Sequence, residues 1–177
     1  MGLRTYGAAV LSAAAALLVL GGPEREKALL GTAPSEPVRV LEENAATHPG
    51  DVEATRALAQ AYVDVDQPGL AAALVSGAEQ AVRRDPRVRH VYARALMDQG
   101  HSAEALATEA GVLAACRPLV EGASVGGCDP VLLASALRRT DILRALVSLG
   151  VQDAQANPEA MLIAYQNATR EARVTVQ

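Results

Sequence analysis

Phenylalanine and tryptophan are missing from this chain altogether, and only four tyrosines stand among its 177 residues. That scarcity argues against a sheet-built core, because strands favour aromatic and β-branched side chains. Lysine is nearly absent as well. Lys27 is the single one among otherwise arginine bases, which reads as genomic base composition. A formal net charge of −4 argues against a nucleic-acid binder, which usually carries a basic stripe on a basic domain. There are two cysteines, Cys116 and Cys128, and three histidines, His48, His90 and His101, with no CxxC or HxxxH among them. Four compactly spaced ligands are therefore missing and no metal is expected. No G-x-S-x-G, HExxH or phosphate loop occurs either, so no catalytic residue and no cofactor is predicted. What the chain has instead is alanine, leucine and valine, within an apolar fraction of 50%. Small apolar side chains let helix axes approach closely, so the fold class predicted is all-α. Alanine buries little area, and at about 25 cal/mol per Å² its core confers modest stability.

Residues 5–22, TYGAAVLSAAAALLVLGG, carry no charge. As a helix they would span roughly 27 Å, against a hydrocarbon thickness of ~30 Å. They read as an N-terminal hydrophobic helix, either a retained signal-anchor or a cleavable signal peptide within residues 1–22. An alanine-rich soluble helix is the third reading, disfavoured because no polar face meets water. The best cleavage match, Val19-Leu20-Gly21, is poor, which favours the anchor. Charge alone does not fix the orientation, since Arg4 faces Arg25 and Lys27 interleaved with Glu24 and Glu26. Residues 23–37, with three prolines, read as a linker.

Two segments further on echo one another. LAQAYVDVDQPGLAAAL begins at Leu58 and YARALMDQGHSAEALAT at Tyr92, 34 residues later. The same offset pairs Ala59 with Ala93, Tyr62 with Leu96, Asp66 with Gly100 and Ala71 with Ala105. A degenerate copy, Leu133-Ala134…Leu137…Asp141, stands 41 residues after Tyr92. Residues before Pro49 look like the second helix of a partial repeat. Asn157-Pro158 predicts the start of a closing helix running to about Ala172. The pattern resembles the tetratricopeptide repeat (TPR) family, a helix–turn–helix of about 34 residues. The usual tryptophan is absent, and Pro68-Gly69 in the first turn is atypical. The resemblance implies antiparallel helix hairpins forming a short TPR-like solenoid over residues 38–172, with 173–177 as a tail.

In that family the first helix of each hairpin lines a concave groove. Carried across, those positions include Glu53, Val63 and Asp64, Arg87 and Asp98, and Val131 and Ser135. The resemblance implies a partner-binding groove built from Arg56, Gln60, His90, Arg94, Met97, Arg138 and Arg139. Arginine binds carboxylates bidentately, so the implied guest is a protein or peptide segment, possibly acidic. The plainer reading is that these arginines pair with neighbouring carboxylates on solvated helix faces. The stretch CRPLVEGASVGGC reads as a glycine-rich loop with a cysteine at each edge. A disulfide between Cys116 and Cys128 is the leading reading, with two unpaired buried thiols as its alternative. A disulfide implies an oxidising compartment, which agrees with the apolar head. The sequence thus predicts a non-enzymatic scaffold, membrane-anchored through residues 5–22, with its C-terminal domain periplasmic in a bacterial envelope complex. The alternative is a soluble periplasmic or secreted accessory subunit released by signal-peptide cleavage. No small-molecule substrate is evident.

Overall fold

The computed structural model describes residues 36–120, 122–123 and 125–174, the last five of these by backbone alone. The expected apolar helix, the linker as far as Ser35 and the final three residues lie outside that range. The described residues form eight helices, with no strand among them: α1 (Glu36–Thr47), α2 (Val52–Asp64), α3 (Pro68–Gly77), α4 (Gln80–Arg84), α5 (Pro86–Asp98), α6 (Ser102–Val120), α7 (Pro130–Ser148) and α8 (Pro158–Val174). The all-α expectation is met.

Local chemistry sets most of the helix starts. Pro68, Pro86, Pro130 and Pro158 each open a helix, where the missing N–H has no intrahelical partner to lose. Three aspartates cap from the preceding position. Asp51 accepts from the Glu53 and Ala54 amides, Asp85 from Arg87 and Asp129 from Leu132. Each satisfies amide donors that the first helical turn leaves orphaned. Pro68-Gly69, expected within a turn, instead begins α3. Asn157 precedes α8 as expected, but its side-chain amide turns back to donate to the Asp153 carbonyl at 2.9 Å.

The helix ends share one corner. After α5, the Gly100 amide donates to the Met97 carbonyl and the His101 amide to the Leu96 carbonyl. After α2, Asp66 and Gln67 make the equivalent bonds to Val63 and Tyr62; after α7, Gly150 and Val151 make them to Val147 and Leu146. All three are Schellman motifs, which need a residue in the left-handed region, and α6 ends the same way, with Gly122 and Ala123 donating to the Leu119 and Pro118 carbonyls. Gly100 stands at φ 81°, Gly150 at 71° and Asp66 at 59°. The 34-residue pairing of Asp66 with Gly100 therefore joins two residues with one backbone role.

Three differences from the sequence reading have physical causes. The corner after α7 falls at Gly150, so Ile142, Leu143 and Leu146 are the buried residues that stand as Tyr92, Ala93 and Leu96 do before Gly100. In the stretch read as a third copy, Leu133–Asp141, Ala134 and Leu137 are exposed. A short helix, α4, intervenes between α3 and α5 because Ala78 is extended and ends α3. Finally, α6 continues through Cys116 and Pro118 to Val120, where a loop was expected. Pro118 sits in the last turn, where its ring costs less than it would in the helix middle.

Packing follows chain order. Helices α2 and α3 pair, as do α5 and α6, and α7 and α8; α3 and α2 rest on α5, α6 rests on α7, and α1 covers α2. The apolar core is divided accordingly. Ala59, Val63, Ala71, Val75, Val88 and Val91 fill the α2–α3–α5 interface, and Val112, Cys116, Leu132 and Ala136 the α6–α7 interface. Ile142, Leu146, Ala164 and Ala168 close α7 on α8. The four small residues of the echo, Ala59, Ala71, Ala93 and Ala105, are all wholly buried. They sit where helix axes come closest and any larger side chain would force them apart.

Candidate functional site

Helices α2, α5 and α7, the first members of the three hairpins, jointly line an open depression of about 430 Å³. Arg56 and Gln60 come from α2, Arg87 and His90 from α5, Val131 and Ser135 from α7. Spacing on α2 and α5 places them there: positions 56 and 60 are four apart and 87 and 90 three apart, so each pair shares a helix face. Val131, 78% exposed, gives the depression an apolar lip.

Its charges are largely matched internally. Arg56 binds Glu53 in a two-pronged pair, Nε to Oε2 at 3.1 Å and Nη2 to Oε1. Arg87 lies 3.2 Å from Asp85 and 3.6 Å from Glu53. The Arg56 hydrogen bond holds the Glu53 carboxyl below the usual range, aided by the charges of Arg56 and Arg87. Both arginines are held above their ordinary value, Arg56 by Glu53 and Arg87 mainly by Asp85. An acidic guest would therefore have to compete with Glu53.

Beneath the depression runs a chain of polar groups. His90 Nε2 lies 3.0 Å from the Ser135 hydroxyl, and His90 Nδ1 lies 2.7 Å from Glu109 Oε1. Glu109, on α6, is wholly buried. Arg139 reaches in from α7, donating to Glu109 Oε1 at 2.8 Å and to the His90 carbonyl at 2.7 Å. Burial pushes the Arg139 guanidinium down, and Glu109 pulls it back up. A His90 ring that donates through Nδ1 to Glu109 would leave Nε2 to accept the Ser135 hydroxyl. Serine, imidazole and carboxylate in this order have the connectivity of an acyl-transfer triad. The Ser135 amide lies inside α7.

The remaining candidates are dispersed. Arg94 spans from α5 to Asp64 on α2 at 3.1 Å, and Gln60 also donates to Asp64 at 2.8 Å. Burial pushes the nearby Asp98 carboxyl up, opposed by Arg94 and Arg139. Met97 is half-buried and packs against the Leu96–Ala105–Leu143 cluster. Arg138 lies over the Tyr165 ring, 4.8 Å from its centroid, and donates to its hydroxyl. Arg139 is inside the fold. The structure thus gathers Arg56, Gln60 and His90, places Arg94 alongside and Arg139 beneath His90, and directs Arg138 to Tyr165. Sequence reasoning missed Glu109; its one signal was a lone carboxylate within the alanine-rich TEAGVLAA run.

Cys116 in α6 and Cys128 before α7 lie at disulfide distance, with Cα atoms 5.6 Å apart. Among the described residues no group of three His, Cys, Asp or Glu could hold a metal ion, and no helix is long and apolar enough to cross a membrane. Compared with known family models, curated proteins and solved structures, the chain matches none.

Proposed function

We propose that this chain is a non-enzymatic protein-interaction scaffold, a short TPR-like solenoid that holds an extended segment of a partner in the α2–α5–α7 depression. One observation carries the reading: the first helices of three successive hairpins converge on one open, mixed polar and apolar surface. The recurring Schellman corners and the wholly buried alanines at the 34-residue offset support the repeat character. Residues 5–22 would tether the scaffold to a membrane. The cysteine pair at disulfide distance favours the oxidising side, hence a periplasmic domain within an envelope complex. Because Arg56 and Arg87 already have carboxylate partners, the guest is held by hydrogen bonds and apolar contact as much as by charge.

The test is site-specific photo-crosslinking in the native host. A probe at Val131 is expected to capture one defined protein, and a probe at Leu162, exposed on α8, to capture none. Replacement of His90 by Glu should abolish the Val131 product. Equal products from both sites, or capture indifferent to His90, would overturn the reading. The soluble-accessory alternative differs in intact mass, since cleavage would remove the apolar head.

A further inference from the structure

A second pocket, lined by none of the depression's residues, occupies the α3–α4–α5–α6 junction. It holds about 210 Å³ and is lined by Val75 and Ser76, Arg83, Arg89 and Tyr92, and Thr108. Two features set it apart. The first is uncompensated charge. The segment from Arg83 to Arg89 carries four arginines, and of these only Arg87 has a carboxylate partner among the described residues. Arg83 makes a single long hydrogen bond, Nη1 to the Ser76 carbonyl at 3.5 Å. The Arg89 side chain, half-buried, makes no hydrogen bond or ion pair among the described residues. Two like charges facing one cavity repel, and nothing in the described chain offsets this in a protein that is acidic overall.

The second feature is that Arg89 is seated. Its guanidinium occupies the space a Cβ at position 111 would fill, with Cζ 2.6 Å from that site. Only glycine on that turn of α6 allows the group to lie there. The pocket is also lined by Ser76, Tyr92 and Thr108, each of which carries a hydroxyl. Planar N–H forks and hydroxyl donors, with no carboxylate among the lining residues, match the acceptor oxygens of a tetrahedral anion.

We propose that this pocket binds an oxyanion of the phosphate type, either free or as a phosphomonoester. Arg83 and Arg89 supply the charge, and the hydroxyls supply orientation. The cavity is large enough for a phosphate group and too small for a nucleotide.

The experiment is calorimetric titration of the full chain in detergent micelles with inorganic phosphate, against chloride at matched ionic strength. A parallel arm uses glycerol 3-phosphate. Saturable one-to-one binding is expected, weakened about tenfold or more by Arg89→Gln and by Arg83→Gln. Gly111→Ala, which evicts the Arg89 guanidinium, should produce a similar loss. Arg83 is exposed, so its variant keeps the test sound if Arg89→Gln impairs folding, which circular dichroism would reveal. Binding of phosphate alone identifies a free anion as the ligand, and tighter binding of glycerol 3-phosphate an esterified one such as a lipid headgroup. Absence of saturable heat in both arms, or binding retained by the Arg83→Gln/Arg89→Gln double variant, would overturn the proposal.

Discussion

Glu109 is the residue on which the interior depends most. It is wholly buried, bound to Arg139 and His90 through Oε1, and its Oε2 has no hydrogen-bond partner. Removing one member of a buried pair strands the other, at a cost of about 3–5 kcal/mol. Glu109→Ala is therefore expected to lose that much stability in urea denaturation. A double variant, Glu109→Leu with Arg139→Met, should recover most of it, because an apolar pair leaves no charge unmatched. Tyr62 offers a second residue-level prediction. Its phenol donates to Glu42 at 2.7 Å, and burial, then this bond and the Glu42 charge, push its pKa from 10.0 to about 12. Since the folded state holds the proton more tightly, this contribution is complete below pH 10. It is lost as pH rises from there through about 12. Ultraviolet titration should show one tyrosine ionising late, and Tyr62→Phe should remove that step. Legibility was uneven at this scale. Arg56, Gln60 and His90 were placed by the repeat resemblance, which assigns the first helix of each hairpin to the groove. The partners of Arg138 and Arg139 could not be placed so, because they lie on α8 and α6, and loop geometry decides where those helices fall.

At the scale of elements, the corners after α2, α5 and α7 make a comparison within one chain. Gly100 and Gly150 adopt the left-handed conformation without side-chain strain, whereas Asp66 adopts it against a Cβ. Asp66→Gly is expected to stabilise the protein by up to about 1 kcal/mol, net of glycine's extra freedom when unfolded. Gly100→Ala should destabilise it by at least that much, since its Cβ would also meet Asp153 at 3.1 Å. Thermal denaturation of the pair checks both signs. Helix existence was readable from the recurring spacing of large residues and alanine. The register of α7 was not, since its 19 residues outrun the 13 of α2 and α5 at the N-terminal end. Counting from a helix's first apolar residue then loses the corner that the C-terminal glycine marks. The helical end of α6 was likewise hidden, because Pro118 and the glycines after it imitate a loop.

For the whole molecule, the division of the core into successive interfaces means that stability is local. The four apolar clusters each join helices that pack against one another, and each includes at least one alanine. The Cys116–Cys128 pair stands at the α6–α7 interface, where Cys116 is itself a core residue. By loop-closure entropy, reducing a bond with a sequence separation of 12 is expected to cost about 3 kcal/mol. Hydrogen exchange should show that loss in α6, α7 and α8, with α2 and α3 protected as before. A uniform loss across all helices would mean a single cooperative core and contradict the nearest-neighbour packing described above.

The same bond has a mechanical meaning. A row of helix hairpins held at one end and pulled at the other is a spring in series, and its hairpins yield one at a time. Between Cys116 and Cys128 the backbone is short-circuited, because tension passes through the sulfurs and the 12-residue span stays slack. At about 3.5 Å per extended residue, the oxidised chain reaches about 40 Å less far than the reduced one when pulled out fully. The redox state of one loop thus sets how far this protein can stretch before it tears.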